Sequence, residues 1–156
     1  MNEYEQLLTK FYTAFKSRDA DEMIACYHND TEFSDPVYPS LDNSLVSAMW
    51  RMLCQNAVDL NLEFDGITAD ESGGSARWIA TYTFQDTGRL VEGNEVNAAF
   101  KFKDGLIIQH VDDFDLKKWA NMALGRTGRI LSSLGLLKHL VRKKGKKKLE
   151  DYIHNN

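Results

Sequence analysis

The chain has 156 residues, 43% of them hydrophobic and 11% aromatic, enough for one domain with a real core. Its net charge of −4 hides a split. Residues 1–125 hold 10 Lys/Arg against 21 Asp/Glu, whereas residues 126–156 hold 9 against 2, giving balances of −11 and +7. An acidic body argues against a nucleic-acid-binding core, because phosphate contact needs basic surface. The polar start MNEYEQLL lacks the features of a signal peptide, and no apolar run reaches 18 residues. A cytoplasmic protein is therefore expected, with Cys26 and Cys54 as reduced buried thiols. With no CxxC and no zinc-like His/Cys spacing, neither a metal nor a cofactor is expected.

In chain order, Leu7, Leu8, Phe11, Tyr12 and Phe15 recur at helical spacing and predict a helix over Glu3–Lys16. Asp19 caps a second, short helix, with Glu22 completing an acidic capping box. Thr31–Asp35 reads as a short strand and Asn43–Asn56 as a third helix. The period then changes to two. Leu60, Leu62 and Phe64 alternate, as do Trp78, Ala80, Tyr82 and Phe84, and Val96, Ala98, Phe100 and Phe102. Asp104-Gly105 marks a tight turn into a fourth strand, Leu106–Asp113. A helix from Asp115 to Leu124 stops at Gly125. Helices grouped before hairpin-linked strands predict an α+β fold, with a curved antiparallel sheet packed around the N-terminal helices. Residues 1–125 form the expected domain, and residues 126–156 an appended basic, amphipathic helical tail.

The stretch Ser34-Asp35-Pro36-Val37 poses a choice. Pro36 holds Asp35 extended, either in a surface turn or with its carboxylate aimed into a cavity. In a second acidic stretch, His110-Val111-Asp112-Asp113-Phe114-Asp115, His110 and Asp112 lie two apart on a strand and so share a face. About 7 Å separates their backbones, close enough for the side chains or one water to bridge.

FYTAFKSRDADEMIACYHND, TEFSDPV and DGLIIQHVDDFDLKKWANMALG together resemble the nuclear transport factor 2-like superfamily. The likeness is to its SnoaL-like branch, which includes ketosteroid isomerase and limonene epoxide hydrolase. It covers roughly residues 3–125. It implies a cone-shaped α+β (cystatin-like) fold, a pocket inside the cone and a homodimer packed through the sheet. It also implies that Asp35 occupies the position of the isomerase's general base, and that Asp112 points inward where the epoxide hydrolase activates water. SnoaL-type cyclases use an acid/base aspartate on this same strand. Two departures follow from the same matching. The isomerase's hydrogen-bond donors fall on Phe11 and Ala98, which cannot donate. The epoxide hydrolase's Arg-x-Asp pair falls near Ile79–Tyr82, which lacks it. Losing one oxyanion donor costs about 2.7–4 kcal/mol of transition-state stabilisation.

These readings converge on an acid/base enzyme (isomerase, cyclase or hydrolase) working without a cofactor on a small apolar molecule. Asp112 is the candidate base, His110 its partner and Asp35 a second acid. Trp50, Trp78, Tyr82, Phe100, Tyr12 and Tyr38 are the candidate ligand-contacting side chains. The alternatives are a non-catalytic small-molecule carrier and a dimeric interaction module. Asp115 is expected as a helix N-cap and Trp119 as packing. The basic tail over residues 129–148 packs on the acidic body or contacts a membrane or an acidic partner.

Overall fold

The computed structural model describes residues 1–156. Helix α1 (Glu3–Lys16) opens with a capping box, in which Asn2 and Glu5 each accept the other's amide, and buries Leu8, Phe11, Tyr12 and Phe15. Asp19 caps α2 (Ala20–Ile24) through the Glu22 amide, and Asp42 caps α3 (Asn43–Asn56) through that of Leu45. The strands are β1 (Tyr27–Ser34), β2 (Asn61–Asp70), β3 (Gly73–Phe84), β4 (Arg89–Lys103) and β5 (Leu106–Asp113). They form one curved sheet in the order β1-β5-β4-β3-β2.

Two details depart from the sequence-based expectation. The sheet is mixed rather than wholly antiparallel, because β1 adds to its edge parallel to β5. The long excursion through α3 and three further strands lets β1 and β5 run in the same direction. In addition, β1 starts at Tyr27, four residues before Thr31, and Tyr27 pairs with Ile107. The polar run His28-Asn29-Asp30 hid this start, since those side chains lie on the outer part of an edge strand.

Helices α1 and α3 cover the inner face. Phe11, Phe15, Phe33, Trp50, Trp78 and Phe100 interlock there in the larger apolar core. Such buried aromatic contacts add about 0.5–1.5 kcal/mol each beyond area burial. A smaller core joins Val91 to Trp119, Ala120 and Ala123 of α4 (Leu116–Ala123), and to Leu137 and Val141 of α6 (Leu137–Asn155). Asp115 caps α4, and the Trp119 indole donates to Tyr82 Oη. After α5 (Arg126–Ser133), α6 returns along the body and sets Leu149 into the larger core. Cys26 and Cys54 are free and buried, and burial pushes both thiols up to about 11. No helix is long and apolar enough to cross a membrane.

Candidate active site

Strand β5 carries His110 between Phe33 of β1 and Phe100 of β4, its register partners. The period of two brings His110 and Asp112 to the inner face together. The pair is bonded directly, His110 Nε2 to Asp112 Oδ1 at 2.8 Å, with His110 0% and Asp112 4% exposed. The other ring nitrogen, Nδ1, lies 2.8 Å from Tyr27 Oη, which also accepts the Trp50 indole N–H at 2.9 Å. The Trp78 indole makes a long contact of 3.5 Å to Asp112 Oδ1.

These contacts assign the protons along the line. Trp50 can only donate, so Tyr27 Oη accepts from it and keeps its own hydrogen for Nδ1. Nδ1 then accepts, and the neutral imidazole carries its proton on Nε2, where it donates to Asp112. The result is a buried relay from Trp50 through Tyr27 and His110 to Asp112. Burial holds the Tyr27 phenol well above its ordinary pKa, which keeps it a donor. Asp112 Oδ1 takes both side-chain bonds, leaving Oδ2 for another partner.

Asp112 also borders an open groove of about 530 Å³ at the end of the sheet. Asp35, Pro36, Asp113, Phe114, Lys138 and Arg142 line it as well. Both readings of Asp35 hold at once. Its Oδ1 accepts the Val37 and Tyr38 amides at 2.8 and 2.6 Å, which closes the turn around Pro36. Its carboxyl also lies on the groove, half-buried. Burial pushes the Asp35 carboxyl up to about 7, and the negative charge of Asp112 adds to the effect. The Tyr38 and Val37 amides and the Arg142 guanidinium pull the other way. Two carboxyls of one groove thus sit in contrasting surroundings, one bonded to a buried imidazole and the other to two backbone amides.

The remaining sequence candidates divide. Trp50 and Trp78 join the relay, while Phe100 packs 4.4 Å from the His110 ring. Tyr12 is buried against Phe64, and its hydroxyl has no partner. Tyr38 reaches the Gly145 carbonyl of α6, and Tyr82 holds Trp119. Neither tyrosine lines the groove containing Asp35 and Asp112. Phe11 faces His110 edge-on at 5.5 Å, and Ala98 lies opposite Asp112 in the β4–β5 pair. The two donor positions missing from the isomerase pattern are thus apolar side chains beside the relay. No three His, Cys, Asp or Glu side chains converge at metal-ligand spacing.

Sequence reasoning missed Tyr27, Lys138 and Arg142. Tyr27 was hidden by the late strand start. The two cations read only as part of a basic tail, yet α6 carries them to the groove. Arg142 is fixed there by its Nε, which donates to the Pro36 carbonyl at 3.1 Å.

The SnoaL-like domain family matches residues 8–110, about two-thirds of the sequence. The chain belongs to this SnoaL-like family. Solved structures of the same fold include an NTF2-like protein of unknown function from Burkholderia pseudomallei. It is 18% identical, with a TM-score of 0.69 over 78% of this chain and 98% of that one. A candidate polyketide cyclase from Xanthomonas campestris pv. campestris is 18% identical, with a TM-score of 0.65 over 77% and 96%. An LEH-like epoxide hydrolase from M. tuberculosis is 18% identical, with a TM-score of 0.61 over 85% and 96%. At these identities the likeness is one of fold. No protein of curated function matches the sequence. The SnoaL-like match ends at His110, so Asp112, Lys138 and Arg142 all lie beyond it.

Proposed function

We propose that this SnoaL-like protein is an acid/base enzyme acting on a small, largely apolar molecule with a carbonyl or epoxide group. The observation that carries this reading is that Asp112 belongs to both surroundings at once. It ends the buried relay through His110 and Tyr27, and it borders the groove shared with Asp35. Asp112 Oδ2 takes a proton from substrate carbon or from water, while His110 holds the carboxylate in place through Oδ1. Asp35, with its carboxyl raised to about 7, is available near neutral pH both as acid and as base. Negative charge that develops on the substrate oxygen meets the Arg142 guanidinium, whose terminal nitrogens have no carboxylate at contact distance. That cation takes the part of the donors absent at positions 11 and 98. The fold shared with the candidate cyclase and the epoxide hydrolase does not choose between these two reactions.

A carrier without chemistry is the competing reading. It is favoured by the complete partnering of His110 inside the protein, as in a structural histidine. The test is solvent exchange and turnover. Enolisable ketones and epoxides are incubated with the protein in D₂O, and deuterium incorporation and diol formation are followed by NMR. The enzyme reading expects conversion by wild type and its loss in Asp112→Asn. Equal conversion by that folded variant overturns the role of Asp112. Saturable ligand binding with no conversion by wild type supports the carrier.

A further inference from the structure

We propose that the corner formed by α5 and the start of α6 is a docking surface for an anionic lipid bilayer. Three large apolar side chains project there. Ile130 is 50%, Leu134 63% and Leu136 44% exposed, and Gly135 turns the chain between the last two. Arg126 and Arg129 stand exposed on the same short helix, and Lys143, Lys144 and Lys146 are exposed along α6. None of these five cations has a carboxylate at ion-pair distance, unlike Lys147 and Lys148, which pair with Asp151 and Asp86. From Arg126 to Leu149 the sequence contains no Asp or Glu. Lys143 follows the exposed Leu136 by two helical turns, about 10 Å along the axis, and so lies on the same side of α6 as that leucine.

This combination selects the partner. A nucleic acid would satisfy the cations but not three exposed aliphatic side chains. An anionic bilayer takes both, with headgroups around the cations and the acyl boundary around the leucines. The body reinforces the orientation. Its balance of −11 is repelled by the same surface that attracts the +7 segment, so the molecule meets the bilayer with α5 and α6 foremost. If the groove is the reaction site proposed above, docking sets its α6 edge, with Lys138 and Arg142, beside the lipid that stores apolar substrate.

The experiment is co-sedimentation of the full chain with phosphatidylcholine vesicles, with and without phosphatidylserine, at low and high salt. Binding is expected only with phosphatidylserine and is lost at high salt. Lys143→Gln with Lys144→Gln should weaken partitioning by about thirtyfold. Lys143→Arg with Lys144→Arg should leave it unchanged. Leu134→Asp should weaken it by tenfold or more, as an inserted side chain requires. All these positions are exposed, and circular dichroism verifies folding. The proposal is overturned by no phosphatidylserine-dependent binding, by indifference to Leu134→Asp, or by self-association abolished by Leu134→Asp in a protein that ignores vesicles. The last would make the corner a contact between copies. Equal binding to polyglutamate and vesicles, unaffected by Leu134→Asp, would assign it to an acidic polypeptide instead. Because vesicle binding requires no turnover, it stands or falls separately from the catalytic reading.

Discussion

Asp112 and Asp35 face one groove from opposite kinds of surroundings. Asp112 is buried, its Oδ1 bonded to His110, which is itself held by Tyr27 and Trp50. Asp35 is half-buried at a turn, and its bonds come from two backbone amides. One carboxylate is positioned by a chain of side chains, each fixed by packing. The other is positioned by the backbone and left open to its electrostatic surroundings. A buried relay resists change of any member, whereas a turn carboxylate responds to pH.

The sharpest way to break this comparison is Asp112→Asn, which keeps the shape and removes the base. Turnover should fall by about 10²–10⁴-fold with folding retained, as expected for the loss of a general base. Adding Asp35→Asn should lower turnover further; a double variant no worse than Asp112→Asn alone would show that the two carboxyls act as one unit rather than in separate roles. Next in size is Tyr27→Phe, which leaves the Trp50 N–H and His110 Nδ1 unpartnered in a dry interior. The cost should be about 1–3 kcal/mol by chemical denaturation. A neutral result would mean that water enters the relay.

Asp35 predicts a pH effect instead. Its folded value, about 7, lies above the ordinary 3.8. A raised folded value means that the folded state holds the proton more tightly. The stabilisation is therefore complete below about 3.8 and is lost as pH rises through about 7. Wild-type stability relative to Asp35→Asn should decline from pH 5 to pH 8, by less than a fully buried group would give, because water in the groove screens the charge. Parallel pH profiles for the two proteins would contradict the burial of Asp35.

The smallest effect tests what holds the groove's far wall. A Cβ at Gly145 of α6 would meet Val37 Cγ1 at 2.6 Å. Gly145→Ala therefore sets a helix-propensity gain of about 1 kcal/mol against that clash. The net change should stay within about 1 kcal/mol, while α6 amides exchange faster with solvent. A full gain in stability with unchanged protection would show that α6 does not press on the Asp35 turn.

The elements and the family were largely legible in the sequence because periodicity and caps are local. Asp19, Asp42 and Asp115 each mark a helix start that the structure keeps. Strand alternation put His110 and Asp112 on one face, the family likeness turned that face inward, and the structure bonds the two directly. What escaped was set by distance along the chain. Tyr27 reaches His110 from 83 residues away, and Arg142 reaches Pro36 from 106. No local pattern announces such a meeting. The expected parallel fate of the aromatics also divided, since Trp50 and Phe100 are sealed into the core and the open lining comes from the ends of β1 and β5, the segments that follow them and α6.

The central claim is that Asp35 and Asp112 form one electrostatically linked pair at the groove. Carbon-13 NMR titration of the Asp35 carboxyl, in wild type and in Asp112→Asn, tests it most directly. The account predicts a midpoint near 7 in wild type, moving down when the charge of Asp112 is removed. A midpoint near 3.8, unmoved by Asp112→Asn, would contradict both the linkage and the acid role of Asp35.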